Sequence, residues 1–209
     1  MSQRVVLTSG KERGYWPQSD RRRLSNLPGR HPVTQPATDV REFCHRALNI
    51  MSTDDLAGFQ ELFHTEAVNR EAVDEPEACR GVGPAAFQAT ARWLTTAFSD
   101  LQWEVHDVVA HGDLVVAHTT MSGRQTGPFV AYRADARVEV AFPARGRTFA
   151  VTQTHWFRVV GGAVIEHWAN RDDLGMGQQL GWTPPSPVYL ARMAAATRAA
   201  RTAAARAGA

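Results

Sequence analysis

Gln153-Thr154-His155-Trp156-Phe157-Arg158-Val159-Val160-Gly161-Gly162-Ala163-Val164-Ile165-Glu166-His167-Trp168-Ala169-Asn170-Arg171-Asp172-Asp173-Leu174-Gly175-Met176 is the stretch on which the fold turns. It reads as a strand, a tight turn, a second strand and the start of a helix. Val, Ile, Thr, Phe and Trp suit a pleated, half-buried surface, and two glycines between such runs supply the positive φ of a short hairpin. Polar residues able to do chemistry are interleaved with apolar ones on both strands, which marks the hairpin as the place to look for a site.

Working outward, more strands precede it. Residues 101–110 alternate, His111-Gly112-Asp113 turns, residues 114–121 return, and 123–127 end that hairpin. Residues 138–142 read as a strand and 143–146 as a turn. The quoted hairpin occupies 148–160 and 163–170, with a short helix near 173–180. Helices come first in the chain. Thr38 or Asp39 can cap one carrying Val40, Phe43, Ala47, Leu48 and Met51 at helical spacing. Ser52, Thr53 and Asp54 offer a second cap before Leu56, Phe59, Leu62 and Phe63; residues 64–71 lead into a first strand, and 74–77 form an acidic loop. Pro84 suits a first helical turn, followed by Phe87, Ala91, Leu94 and Phe98. Helices followed by a long meander make an α+β pattern. The expected architecture is a cone-shaped, curved antiparallel sheet wrapped around N-terminal helices, an α+β barrel with a cavity at its open end.

Composition bounds the rest. With 209 residues and 44% apolar content, the chain can bury one full core. Its formal charge of +2 hides a split: residues 1–36 carry seven Lys/Arg against Glu12 and Asp20, residues 186–209 carry four Arg and no acid, and the middle holds 12 basic against 19 acidic residues. An acidic body argues against nucleic acid as partner of the folded part. Two cysteines, Cys44 and Cys79, imply neither a disulfide framework nor a metal site. No apolar run approaches membrane-spanning length, and a cytoplasmic, membrane-free protein is the expectation. The division expected is a disordered basic arm at 1–36, one domain at 37–185, and an Ala/Arg-rich helical extension at 186–209 that serves as a surface arm or an oligomer contact.

Residues 38–182 resemble the SnoaL-like polyketide cyclases, of the nuclear-transport-factor-two-like superfamily. The resemblance rests on 63–69 (Phe-His-Thr-Glu-Ala-Val-Asn), 83–87 (Gly-Pro-Ala-Ala-Phe), 123–127 (Gly-Arg-Gln-Thr-Gly), the run from Phe157 and Arg158 through Gly161-Gly162 to Glu166-His167-Trp168, and Leu174-Gly175-Met176 with Gln179-Leu180-Gly181. It implies an intramolecular aldol ring closure in secondary metabolism, run without metal or organic cofactor on a polyketide-like small molecule. It also implies a homodimer. The enzyme's part is to fold the substrate, supply one acid/base carboxylate and place polar groups near the developing enolate oxygen.

Position by position, the resemblance makes Asn69, Gln153 and His155 the polar site residues. Gln153 and His155 share strand parity with Phe149, Val151 and Phe157, so both point the same way. The family's catalytic aspartate falls two residues after the last-strand histidine, and here that residue is Ala169, which cannot carry a proton. His167, of the same parity as Ala169, and Asp172, if the strand end bends inward, are the candidate replacements, with His155 across the hairpin; capping the helix at 173 is the alternative for Asp172. The candidate catalytic residues are thus His155, His167 and Asp172. Asn69, Gln153, His118 and Trp168 are the candidate substrate-binding residues. His118 shares parity with Leu114, Val116 and Thr120 and either faces the cavity or is a satisfied core histidine. Residues 130–147, longer than the loop usual in the family, could extend over the cavity mouth. A ligand-binding protein or scaffold on the same barrel, a diverged hydroxylase-like member, and an interaction protein working through its basic arms stand as alternatives to ring closure or isomerisation.

Overall fold

The computed structural model describes residues 37–207. The arm expected at 1–36 lies outside the described residues. In order come α1 (Ala37–Asn49), α2 (Leu56–Leu62), β1 (Phe63–Asn69), α3 (Pro84–Ala97), β2 (Phe98–His111), β3 (Leu114–Gln125), β4 (Phe129–Tyr132), β5 (Val138–Phe142), β6 (Thr148–Val160), β7 (Ala163–Arg171), α4 (Asp173–Leu180) and α5 (Pro187–Ala207). The cap expected at 52–54 falls instead on Asp55, whose side chain makes no capping bond.

Five strands form a curved, unclosed sheet in the order β1-β7-β6-β3-β2, while β4 and β5 pair as a separate ribbon. The sheet is not wholly antiparallel, as had been expected: β1 runs parallel to β7, with Asn69 opposite His167. β1 reaches the rest of the sheet through α3 and not through a hairpin turn, and a parallel neighbour requires such a crossover. The consequence is local and functional, because it sets the end of β1 beside the hairpin.

Alternation decides the faces. On β6, Phe149, Val151, Gln153, His155, Phe157 and Val159 are buried, while Thr148, Ala150 and Thr152 between them are exposed. On β3, Val115, Ala117, Thr119 and Met121 are buried. Gly161 and Gly162, at φ +60° and +85°, close the β6–β7 hairpin in the left-handed conformation that side chains rarely adopt. The turn fixes the register in which His155 faces Ala169 and Phe157 faces His167.

The helices cover the inner face. α1 buries Val40, Cys44, Ala47 and Leu48, and α3 buries Phe87 and Ala91, with Phe87 4.2 Å from the Phe63 ring. Burying each large apolar side chain of this kind contributes about 1.5–3 kcal/mol before ordering entropy is subtracted. The Asn49 amide and the Trp103 backbone exchange two hydrogen bonds of 2.9 Å, tying the end of α1 to β2.

α5 lies on the β4–β5 ribbon. Tyr189 and Thr197 are buried, Thr197 Oγ1 accepts from the Ala141 N–H at 2.9 Å, and Tyr189 donates to the Pro143 carbonyl. Most of its other residues are exposed, as the small apolar content suggested. Trp182 stacks on Phe142 and Phe129 and locks the ribbon to the sheet by donating to Gln125. Among the described residues no helix is long and apolar enough to cross a membrane.

Candidate functional site

Between α1, α3 and the inner face of the sheet is a cavity of about 80 Å³. Leu48, Met51, Phe63, Phe87, Leu94 and Phe157 make its walls largely apolar, and Asn69, Gln153, His155 and His167 bring polar atoms together on the sheet side. Strand parity explains the grouping: Gln153 and His155 are two apart on β6, His167 and Ala169 two apart on β7, and the parallel pairing delivers Asn69 from β1.

These groups form one hydrogen-bonded chain. Trp103 Nε1 donates to Gln153 Oε1 at 3.1 Å, and His155 Nε2 lies 2.8 Å from the same oxygen. His155 Nδ1 lies 3.0 Å from His167 Nε2, and His167 Nδ1 lies 3.0 Å from Asn69 Oδ1. The amides at the two ends are oriented by other partners: Gln153 Oε1 by the Trp103 indole, and Asn69 Oδ1 by the backbone N–H of Glu71 at 3.2 Å.

That orientation permits a count of protons. Each end of the histidine pair meets a carbonyl oxygen, which needs an N–H, and the contact between the rings needs one more. Three protons on four ring nitrogens amount to one imidazole and one imidazolium. A neutral pair holds two, leaving one contact without a hydrogen.

Burial acts in the opposite direction. It pushes the His167 pKa down to about 3, assisted by the charge of Arg171. It holds His155 well below the usual range, with His167 and Arg171 adding to the effect. The cost of an uncompensated buried cation outweighs one missing hydrogen bond, about 1 kcal/mol for a neutral contact, so the resting pair is neutral.

A second polar group lines the cavity from the loop after β1. Glu71 accepts from the Ala169 N–H at 3.0 Å and pairs with Arg171 at 3.8 Å. Glu75, 2% exposed, accepts from the Thr90 hydroxyl at 2.5 Å. Burial raises the Glu75 pKa to about 7, against the opposing influence of the Thr90 hydrogen bond and the Arg171 charge.

The structure separates the sequence candidates. It brings Asn69, Gln153, His155 and His167 together around the cavity. His118 and Trp168 do not join them. His118 is exposed on the outer face of β3, 5.3 Å from the His106 ring, because the buried parity of that strand is the odd-numbered one. Trp168 stacks on Trp156 across the outer face of β6 and β7, one residue out of phase with His167. Asp172 caps α4, its Oδ1 accepting from the Gly175 N–H at 2.8 Å, and it is exposed. The strand end does not bend it inward. The ribbon of 129–142 is held beside α3 by the Trp93 indole donating to the Val130 carbonyl, and it contributes no residue to the cavity lining.

Sequence reasoning missed Trp103, Arg171, Glu71 and Glu75. The first two had a signal: Trp103 shares the parity of buried Leu101, and Arg171 that of His167 and Ala169. Glu71 and Glu75 lie in irregular chain, where no period announces which way a side chain points.

Helices closed over a curved sheet, with a buried polar chain on the sheet side of an apolar cavity, define an α+β fold with an internal site of mixed polarity. The chain belongs to the SnoaL-like polyketide cyclase family, whose model matches residues 38–180. It is 34% identical over 142 residues to aklanonic acid methyl ester cyclase DnrD of Streptomyces peucetius, covering 68% of this chain and 88% of that protein. It is 33% identical over 153 residues to aklanonic acid methyl ester cyclase DauD of Streptomyces sp. (strain C5), covering 73% and 86%. The solved structure of TsrD from Streptomyces laurentii is similar with a TM-score of 0.54 and 28% identity, over 70% of this chain and 98% of that one. A SnoaL-like polyketide cyclase from Agrobacterium tumefaciens str. C58 shares the fold at a TM-score of 0.51 and 11% identity, over 71% and 100%.

Proposed function

We propose that this chain is an enzyme that closes a ring in a polyketide-like ester by an intramolecular aldol reaction, without metal or organic cofactor. The observation that supports this most is the chain Trp103–Gln153–His155–His167–Asn69 on the sheet side of an apolar cavity. The names of the two cyclases, each about a third identical, point to the same class of substrate.

The chemistry follows from charge. A carbon flanked by carbonyls loses a proton, the negative charge moves to an oxygen, and the nucleophilic carbon attacks a second carbonyl within the same molecule. Groups that meet that charge without reorganising lower the barrier. Gln153 Nε2 contacts the Met121 sulfur at 3.2 Å, a weak acceptor that an enolate oxygen outcompetes. The His155–His167 pair takes up the third proton that its geometry calls for once an anion offsets the cost of burial. The apolar walls hold the two reacting carbons together, which removes most of the entropic part of the barrier.

The reaction runs here without the side chain that the family resemblance places two residues after the last-strand histidine, since that residue is Ala169. The same fact motivates a second reading, a binding protein that keeps the cavity and has lost the chemistry. Incubation of the purified chain with aklanonic acid methyl ester, with product identified by chromatography and mass spectrometry, tests both. Turnover that falls by roughly 10²–10³ in His155→Ala or Gln153→Ala supports the enzyme. Tight binding of the ester with no ring closure by the unaltered protein supports the binder and ends the enzyme reading.

A further inference from the structure

We propose that the Glu75 carboxylate, which lines the cavity and is bonded to Thr90 of α3, is the catalytic base of the ring closure; this rests on the function proposed above. Glu75 follows the turn Ala72–Asp74, and its backbone carbonyl accepts from Arg80 Nε at 2.9 Å. Arg80 also donates to the carbonyls of Arg133 and Ala134, so the loop is pinned to the β4–β5 turn. Glu75 lines the same cavity as Gln153, His155 and His167.

Burying a carboxyl behind a cavity is costly, and a stability role alone gives little reason for it. An apolar residue would fill the space without desolvating a charge. Its hydrogen-bond partners are neutral groups: the Thr90 hydroxyl from α3 and the Cys79 thiol from its own loop. The charged groups that act on it are Asp74 from the same loop and Arg171 from β7. Glu71 is the other carboxylate at hand, but the Ala169 N–H and Arg171 already engage its oxygens. A base must exchange protons near neutral pH, and burial brings Glu75 into that range, to about 7.

The step balances. The ionised Glu75 removes a proton from the carbon between two carbonyls, and the C–H electron pair becomes the enolate. The enolate carbon bonds to the second carbonyl carbon, whose π electrons move to its oxygen. That alkoxide takes back the proton held on Glu75, and the carboxylate is regenerated. No oxidant or further reactant is involved.

The test compares wild type, Glu75→Gln and Glu75→Asp with aklanonic acid methyl ester, measuring kcat and KM against pH. Exchange of the acidic carbon-bound hydrogen is followed in parallel in deuterated water. Gln keeps the length and the acceptor oxygen facing Thr90, so folding is retained; Trp fluorescence and thermal melting check it. The expected result is a loss of roughly 10²–10⁴ in kcat and in exchange rate for Glu75→Gln, with KM within a few-fold and part of the rate restored in Glu75→Asp. The wild-type rate rises with pH through a midpoint near 7, and that limb is lost in Glu75→Gln. An active wild type with Glu75→Gln within threefold of it at every pH overturns the assignment and leaves the proposed function standing. A wild type that neither cyclises the ester nor exchanges its hydrogen overturns both.

Discussion

His155 Nδ1 and His167 Nε2 lie 3.0 Å apart, the two rings inclined by only 20°, and each ring turns its other nitrogen to a side-chain amide oxygen. Two imidazoles bracketed by acceptors at both ends form a short hydrogen-bonded chain with one more contact than a neutral pair has protons. Burial keeps it neutral, and under the proposed function an enolate would draw the third proton in.

Stability should therefore fall on acidification. Both histidines have folded pKa values below their unfolded value of about 6.5, with His167 at about 3. Their contribution is fully present above pH 6.5 and is lost as pH falls below it, toward 3 for His167, because the unfolded chain binds protons that the folded one refuses. His167 contributes a slope of roughly 1 kcal/mol per pH unit across that window, and His155 acts in the same direction. Denaturant unfolding at closely spaced pH values measures it; a His155→Gln/His167→Gln double variant as acid-sensitive as wild type would refute the account.

Glu75 acts with the opposite sign. Its folded pKa is raised from 4.5 to about 7, so the stability it lends is full below pH 4.5 and is lost as pH rises through 7. Between pH 4.5 and 6.5 it partly cancels the histidine slope. Glu75→Gln should thus be more acid-sensitive than wild type in that interval, by about 1.4 kcal/mol per pH unit. Parallel slopes for the two proteins would mean that Glu75 titrates normally.

The indole of Trp103 fixes which way the Gln153 amide points. Trp103→Phe keeps most of the packing and removes the N–H. The Gln153 amide is then free to turn, and the chain loses the constraint that defines its proton count. A loss of about 1 kcal/mol in stability and roughly five- to tenfold in kcat is expected, with little change in KM. A change confined to KM would assign Trp103 to binding and not to orientation.

How far the site was legible depended on period. The hairpin around Gly161-Gly162 declares both strands, and two-residue spacing then places Gln153, His155, His167 and Ala169 on one face. The same rule misplaces His118: Leu114 and Val116 suggest an even-numbered core face, and the buried set is Val115, Ala117, Thr119 and Met121. On a strand rich in β-branched residues both parities look apolar, and only pairing with β6 decides between them. Asn69 owes its position to a parallel contact between segments about 98 residues apart, which no local pattern encodes. Glu75 depends on the Arg80 anchor and the packing of Thr90. Irregular chain takes its direction from such tertiary partners, and a sequence reading sees only an acidic loop.

The parity of β3 supplies a last, sharp prediction. His118 has 47% of its side chain exposed and faces Asp107 and His106 on the outer surface of the sheet. Thr119, one residue on, is fully buried and donates to the Gln153 carbonyl at 3.4 Å, on the strand that carries the site. His118→Ala should leave kcat within twofold and stability within about 0.5 kcal/mol, as for most surface changes. Thr119→Val is nearly isosteric but strips a hydroxyl from the inner face. It should cost about 1 kcal/mol and lower turnover by slackening the strand behind Gln153. The pair of substitutions reads out the strand's phase directly: a damaging His118→Ala beside a silent Thr119→Val would mean that β3 is one residue out of register with the site.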